Sequence, residues 1–482
     1  MQRRKWPRWQ SILVWSGLVL SCQGLPVVAG QVSVSSVAAL TKAAAQAQPG
    51  DVIQLADGRY DEECRLVAKG TSAKPVVVRS ETIGGANLCR RLKISGDFVS
   101  LVGFRFTGNG SVFMKGSGLR MSRCSMSNVQ AGRWVQVDVA SRNIEIDHCL
   151  FEKKETNRKR KSGCQLIQIV VRNKQEKHHL HHNHFRDIPK GAGNGFETVQ
   201  LITRGNPFDP PPGHSGTVIE DNLFERCNGE AEIISVKSNG NLIRGNTFRA
   251  CRGSLVFRHG DGNVATGNIF LGDGESGSGG IRLQGTDQVV ANNYFHRLGR
   301  AGVAMMDGTP DQLYVRVERA SILHNTFVNC RYALEVGLSH PKHPSGTVPR
   351  QCVVAGNLFF LGGTKPPATG QAIRLVKDDQ PEAWQWVGNT VYGKLGIPPV
   401  DGVRSQEPNL RFQENGLALP TARTPVTEHA MDVAGVLGKD LLGATRDKRM
   451  TVGAIDFREK PAGIEPLTDK LVGPQATEAA DR

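Results

Sequence analysis

Aromatic residues make up only 6% of this 482-residue chain, and its body almost lacks the long runs of i, i+3, i+4 apolar positions that amphipathic helices need. That excludes a helical bundle. The one sustained apolar stretch, Ile12 to Leu20, falls short of the ~20 residues a membrane-spanning helix requires. Ten cysteines are present, but none form the close pairs that hold zinc. The glycine-rich stretch GDGESGSGG at 272 to 280 is not followed by the Gly-Lys-Ser/Thr of a phosphate cradle, so it is a turn-rich loop.

Glycine is abundant, at 55 residues, and short runs of Val, Ile, Leu and Phe alternate with Gly, Asn and Asp, the pattern of many short strands joined by turns. Lys and Arg number 60 against 45 Asp and Glu, and the resulting charge of +15 favours an acidic partner: nucleic acid, an anionic membrane surface or an acidic glycan. The N-terminus narrows that choice. Arg3, Arg4, Lys5 and Arg8 precede the apolar stretch, and Pro26, Ala29 and Gly30 follow it, so residues 1–30 have the pattern of an export signal. Cys22, in VLSC, also offers a site for a lipid anchor. The expectation is a secreted or periplasmic protein, or an outer-membrane lipoprotein, with no membrane span and no nucleic-acid partner.

The remaining cysteines are regularly placed: Cys64/Cys89, Cys124/Cys149, Cys227/Cys251 and Cys330/Cys352 are 25, 25, 24 and 22 residues apart, with Cys164 left over. Such spacing suits stacked positions on neighbouring repeats, as disulfides or as buried thiols. A repeat is indeed present. The unit apolar-x-x-x-Asn-x-Phe appears as VIEDNLF ending at Phe224, LIRGNTF at Phe248 and VATGNIF at Phe270, and again around Asn293, Asn325 and Asn357. Asn183/Phe185 is an earlier copy, Asn389 a weaker later one, and Cys149/Phe151 carries a substitute at the Asn position. From Asn222 onward the steps are 24, 22 and 25, then 32, 32 and 32. A coil of that length cannot bury its own apolar face and must stack on its neighbours. Side chains alternate along each strand, so Ile219 faces the core and Glu220 the solvent. The fold expected is an all-β right-handed parallel β-helix over 31–397. A capping helix over Val37 to Gln48, N-capped by Ser36, would cover its open end, and an extension over 398–482 would pack on the last coils, with a disordered final dozen residues.

On stacked coils, residues one repeat apart lie one above another, so chemistry is to be sought in columns. Glu230 and Glu232, at i and i+2, fall on one face of a strand, Lys237 follows in the turn or next strand, and Arg258 and Arg282 lie 26 and 50 residues beyond Glu232. Paired same-face carboxylates repel unless a positive charge lies between them. Calcium, which prefers oxygen ligands, would serve, with the amide of Asn194 as a further ligand. The simpler alternative is that both glutamates pair with Lys237 and Arg258 in ordinary surface salt bridges.

Four blocks in this region, NGFET at 194–198, EAEIISVKS at 230–238, FRHGD at 257–261 and GGIR at 279–282, resemble in order and spacing the polysaccharide lyase family that contains chondroitinase B and many alginate lyases, polysaccharide lyase family 6. The resemblance runs from about Val32 to Asp307. It implies that Asn194, Glu230 and Glu232 bind Ca2+, that Lys237 is the catalytic base with Arg258 assisting, and that His259 and Arg282 contact an anionic polysaccharide. One departure is Gln200, in place of an Arg that often closes the first block in alginate-active relatives, which alters a subsite. The implied activity is β-elimination at a 4-linked uronate, alginate favoured. Dermatan or chondroitin sulfate is the alternative substrate, and a non-catalytic glycan-binding β-helix the alternative role. A pectin-type hydrolase on the same fold would need clustered aspartates, and Asp261 and Asp273 do not obviously supply them.

Three other signals have plainer explanations. Period-2 alternation splits the imidazoles of HHLHHNH, 178–184, between two faces, favouring a structural strand over a second metal site. The basic run KKETNRKRK, 153–161, suits a solvated loop that can also steer a polyanion. Trp134 suits either stacking on a sugar or packing in the core.

Overall fold

The computed structural model describes residues 30–154, 162–206, 209–311, 313–339, 347–362, 370–376, 382–422, 437–446 and 451–477. The expected export signal and Cys22, and residues 155–161 of the basic run, lie outside them. Among the described residues the strands form three long parallel sheets of 14, 12 and 14 strands, each visited once per coil. This is the parallel β-helix that the repeat implies. No helix among the described residues is long and apolar enough to cross a membrane.

The repeated asparagine holds one coil on the next. Asn183, Asn222, Asn246, Asn268, Asn293, Asn325, Asn357 and Asn389 are buried in a continuous column, each Nδ2 donating to the next Oδ1 at 2.9–3.0 Å. The same Oδ1 also accepts the backbone N–H of the preceding coil's asparagine, as Asn268 does for Asn246 at 3.1 Å. A carboxamide suits this place because it carries donor and acceptor together and can pass the bond onward. Where the column reaches Cys149, the backbone N–H of that cysteine donates to Asn183, and its sulfur accepts from Cys124 N–H. All nine cysteines among the described residues are free and buried, which settles the choice left by their spacing in favour of thiols. Beside the asparagines runs a stack of Phe151, Phe185, Phe224, Phe248, Phe270, Phe295, Phe327 and Phe359, with ring centroids 4.6–5.3 Å apart.

The N-terminal end is covered by the helix Val37–Gln46, whose first turn is capped by Ser36 Oγ accepting from Ala39 N–H and whose Val37, Leu40 and Ala44 are buried. At the other end the chain does not stop at the last coils. It turns back along the outer face of one sheet, packing Leu417, Leu419, Ala454, Ile455 and Ile464 against Ile269, Leu271, Tyr294, Val328 and Phe360. Leu467 N–H then reaches Thr247, Gly473 N–H reaches the His182 carbonyl, and Arg123 binds the carbonyls of Pro474 and Ala476. The expected disorder of the final dozen residues is corrected for 471–477, whose backbone is tied to these coils; 478–482 lie outside the described residues.

The histidine run is the strand His179–His181 with its flanks. His179 pairs with Glu220 at 2.6 Å and His181 with Glu145 at 3.0 Å, while buried His178 accepts Ile144 N–H and is pushed down to about 4 by burial. Glu145, Asp147 and His181 come within 4.8 Å of one another. Arg120 already bridges the two carboxylates, at 2.7 Å to Asp147 and 3.5 Å to Glu145. Trp134 is fully buried with its indole N–H on the Val129 carbonyl, so it packs and offers no face to a sugar. Lys154 is likewise buried, donating to the Gly132 carbonyl and lying 5.1 Å from the Trp134 ring centre, which corrects the solvated-loop reading at that residue.

Replacing Asn268 by Ala removes the acceptor for two Asn246 donors and strands the carbonyls of Ile243 and Thr266. We expect a loss of about 3 kcal/mol, measured as a lower urea midpoint at unchanged slope.

Candidate active site

The 12-stranded sheet carries a pocket of about 680 Å³ whose walls include Asn194, Glu230, Glu232, Lys237, Arg258, His259, Arg282 and Tyr314. It lies where the ladder is irregular. Between the strands Glu232–Lys237 and Gly253–His259, Glu232 opposes Ser254 but Ile234 opposes Leu255, so Ile233 is an extra residue. Further on, Val236 opposes Phe257 and Lys237 opposes His259, which makes Arg258 extra on the other strand. A third shift, between Gly253 and Leu255, separates Gly253–His259 from Ser278–Leu283. Such bulges re-aim side chains. Glu232 and Lys237 are five residues apart and would alternate onto opposite faces of a regular strand. The bulge at Ile233, buried beside buried Ile234, turns both toward the pocket.

Two expectations about local structure are corrected here. Glu230 and Glu232 converge, but not as i and i+2 of one strand: Glu230 precedes the strand and reaches the site from the turn. Lys237 is the last residue of the same strand as Glu232, and belongs neither to the turn after it nor to the next strand. Glu230 Oε2 accepts Gly195 N–H at 2.8 Å and Phe196 N–H at 3.4 Å, tying the turn to the loop that carries Asn194. Gly229 permits the approach, because a Cβ there would fall 2.1 Å from the Phe196 carbonyl oxygen.

A third carboxylate completes the cluster and was not singled out from the sequence. Glu197, Glu230 and Glu232 each present an oxygen within 4.8 Å of the others. Glu197 lies inside the NGFET block, and the only sequence signal for it is that membership. Gln165 donates to its Oε2 at 3.0 Å and Gln200 to its Oε1 at 2.6 Å, and Lys237 Nζ stands 3.8 Å from Oε1. Gln200 is not among the residues that line the pocket. It is buried on the outer face of the sheet, accepts from Gln168 at 2.7 Å and orients Glu197.

Charge is unevenly matched in the cluster. Burial raises the Glu232 carboxyl, but Arg282, Lys237 and Arg258 with the Ser235 hydroxyl outweigh it and hold it below its ordinary value. Arg282 bonds Glu232 directly, and Arg258 Nε stands 3.6 Å away. Among the described residues Glu230 has no such cation. Burial first, then Glu197 and Glu232, push it up to about 8 against the pull of two backbone hydrogen bonds. Its Oε1 is buried without a hydrogen-bond partner among the described residues. Arg258 is clamped: Nη1 donates to Gln284 Oε1 at 2.8 Å and to the Leu313 carbonyl at 2.9 Å, and its guanidinium lies 4.3 Å from the Tyr314 ring centre. His259 is held neutral, pushed down to about 3 by burial and then by Arg258 and Lys237. Asp261 and Asp273 are engaged separately, with Thr286 N–H and Arg249, and form no acid–base pair with each other.

All-oxygen carboxylate donors, one oxygen of them buried and unsatisfied, match what a hard divalent cation requires. In metal-free protein the crowding costs stability, so Glu230→Gln, which keeps the acceptor for Gly195 N–H, should raise it by about 1–3 kcal/mol. Thermal melts in chelator check this; a lowered melting point would mean the repulsion is not felt.

The family model described as Chondroitinase B matches residues 34–117 and 121–374. Among solved structures, the PL6 family alginate lyase AlyGC superposes with a TM-score of 0.70 at 25% identity, covering 90% of this chain and 59% of that one. A mannuronic acid specific family 6 lyase from human gut microbiota gives 0.65 at 29% identity, covering 75% and 86%. The PL6 polysaccharide lyase Pedsa3628 from Pseudopedobacter saltans gives 0.64 at 22% identity, covering 78% and 97%, and supports the fold alone. This chain thus spans less than two thirds of the length of the first of these and most of the other two. No curated protein matches the chain.

Proposed function

The chain belongs to the chondroitinase B family of polysaccharide lyases, and from that premise we propose that it cleaves alginate, mannuronate-rich stretches in particular, by calcium-assisted β-elimination. The observation that carries this reading is the meeting, in one pocket, of Lys237, the three-carboxylate cluster and the arginines 258 and 282. The substrate preference is supported by the two relatives at 25% and 29% identity, one an alginate lyase and the other specific for mannuronic acid. A polymeric substrate also fits the export expected from residues 1–30.

The C5 proton of a uronate is weakly acidic because the neighbouring carboxylate is already negative and resists further charge. Asn194, Glu197, Glu230 and Glu232 would hold Ca2+, and the bound ion would supply charge neutralisation at that carboxylate. Arg282, anchored on Glu232, presents a second positive group to the same substrate anion. Lys237 Nζ takes the C5 proton. Its place at the end of a strand, between Glu197 and the opposing His259, fixes where that nitrogen stands. Arg258 keeps its own proton at neutral pH and steadies the departing O4 oxygen, water completing its protonation. The clamp by Gln284, the Leu313 carbonyl and Tyr314 fixes the guanidinium in the pocket wall beside Glu232. Neutral His259 can donate or accept a hydrogen bond to a sugar hydroxyl without adding charge.

The test is the ultraviolet absorbance of the unsaturated uronate product, followed with polymannuronate, polyguluronate, dermatan sulfate and chondroitin sulfate, with and without chelator. The expected result is a chelator-sensitive rise, fastest on polymannuronate, that Lys237→Ala lowers by about 10²–10⁴-fold while substrate binding persists. A rise on dermatan sulfate alone would move the substrate within the family. Binding without a rise on any polymer would leave a glycan-binding β-helix.

A further inference from the structure

Outward-facing side chains of the 12-stranded sheet form one continuous row, each residue paired with the next: Arg65, Lys93, Phe113, Gln136, Gln168, Gln200, Ser235, Val256, Arg282. Its C-terminal member, Arg282, lines the active-site pocket. Gln136, nearer the row's N-terminal end, lines a second cleft of about 210 Å³ together with Arg91, Ser111, Val112, Arg133 and Gly163, with no carboxylate in its walls.

The chemistry of that cleft is one-sided. Arg133 is exposed and binds Gln165 through Nε at 3.1 Å, which leaves the outer fork of the guanidinium for a ligand. Arg91 lies 5.5 Å from the centre of the half-exposed Phe113 ring, an arrangement that holds a cation at the surface without neutralising it. Neither arginine has an acidic partner among the described residues, whereas most arginines around the active site do. Gln136 donates along the row to Gln168 at 3.4 Å, and its side chain lines the cleft. Two uncompensated guanidinium forks beside an aromatic ring and an amide constitute a receptor for a carboxylate or sulfate carried on a sugar. Lys93 and Arg65 extend the positive tract beyond it.

We propose that this cleft is a distal subsite for the anionic glycan: it takes the acidic group of a sugar several units from the bond being cut and so favours long chains over short ones. This rests on the lyase reading for the chain that would occupy it. The middle strand of the cleft, Val112–Ser117, lies four strand steps from the strand Glu232–Lys237 in the sheet order. At ~4.8 Å per step that is ~19 Å, a distance only an extended oligosaccharide spans. Both sites lie on the same outer face of the same sheet, so a chain held at one is aimed along the row toward the other.

The experiment compares wild type with Arg91→Gln/Arg133→Gln, both folded by thermal melt, on polymannuronate and on its trisaccharide. The expected result is that the ratio of kcat/KM on polymer to kcat/KM on trisaccharide falls about tenfold, through KM, and that the difference shrinks as salt is raised. An equal loss on both lengths, or an unchanged ratio, overturns the subsite. A titration of uncut polymannuronate and of dermatan sulfate into chelator-treated protein separates this from the lyase reading and separates carboxylate from sulfate recognition. If the wild type cuts nothing but the double variant binds either polymer about tenfold more weakly, the subsite stands and the lyase reading falls. Binding undiminished in the variant, or absent in the wild type for both polymers, rejects the subsite.

Discussion

The spacing of one coil on the next is the constraint on which the rest of the molecule depends. Backbone ladders in three parallel sheets set that spacing, but a ladder alone tolerates slippage, because every rung resembles its neighbour. The asparagine column removes the freedom. Each carboxamide is bonded above and below at 2.9–3.0 Å and also accepts a backbone N–H, so a coil displaced by one residue would bury an amide with nothing to bond. The phenylalanine stack adds apolar contact in the same register. With the coils locked, residues dozens of positions apart in sequence, such as Glu232 and Arg282, are held in direct contact across two strand steps.

Against that regularity, the departures are concentrated where the chemistry is. Three register shifts lie among the strands Glu232–Lys237, Gly253–His259 and Ser278–Leu283, while the asparagine column passes through the same coils unbroken. The two facts are compatible because the column occupies a turn on another side of the coil. The scaffold's register is fixed away from the site, which leaves the strands at the site free to take extra residues and turn Glu232, Lys237 and Arg258 outward together. A regular strand would have placed Glu232 and Lys237 on opposite faces.

The parts of this architecture that repeat are the parts a single sequence displays. Asn-x-Phe recurring at 22–32 residues announces the solenoid, and Ser36 before an alanine-rich stretch announces its cap. The four blocks around 194–282 mark the site because their chemistry is local to each block. What escaped is what depends on three-dimensional neighbours. Glu197 gains its meaning only when the turn at Glu230 folds over Phe196. Gln200 looks like a lost cation in a linear comparison, yet its hydrogen bond makes it a partner that orients Glu197. The bulge at Ile233 leaves no compositional trace, since Ile233 and Ile234 would suit any buried strand. Trp134 and Lys154, each with a plausible surface role, are buried against one another.

Charge within the pocket is divided by sign. Glu232 is matched by Arg282 and Arg258, and its carboxyl is held low in spite of burial; Glu230, a few ångströms away, is pushed up to about 8 by burial and by the neighbouring acids Glu197 and Glu232. The cluster is therefore polarised, with Arg258 and Arg282 on the Glu232 side and, on the other, Glu230 crowded by its neighbouring acids, Lys237 standing beside Glu197. A cation lodged among the carboxylates would relieve the second side without disturbing the first. A substrate carboxylate lying over the pocket would then meet positive charge from two directions, from that cation and from Arg282. The crowding that costs the metal-free protein stability is thus the same feature that prepares the site for an anion, because it creates a place where adding positive charge is favourable beside arginines that are already fixed.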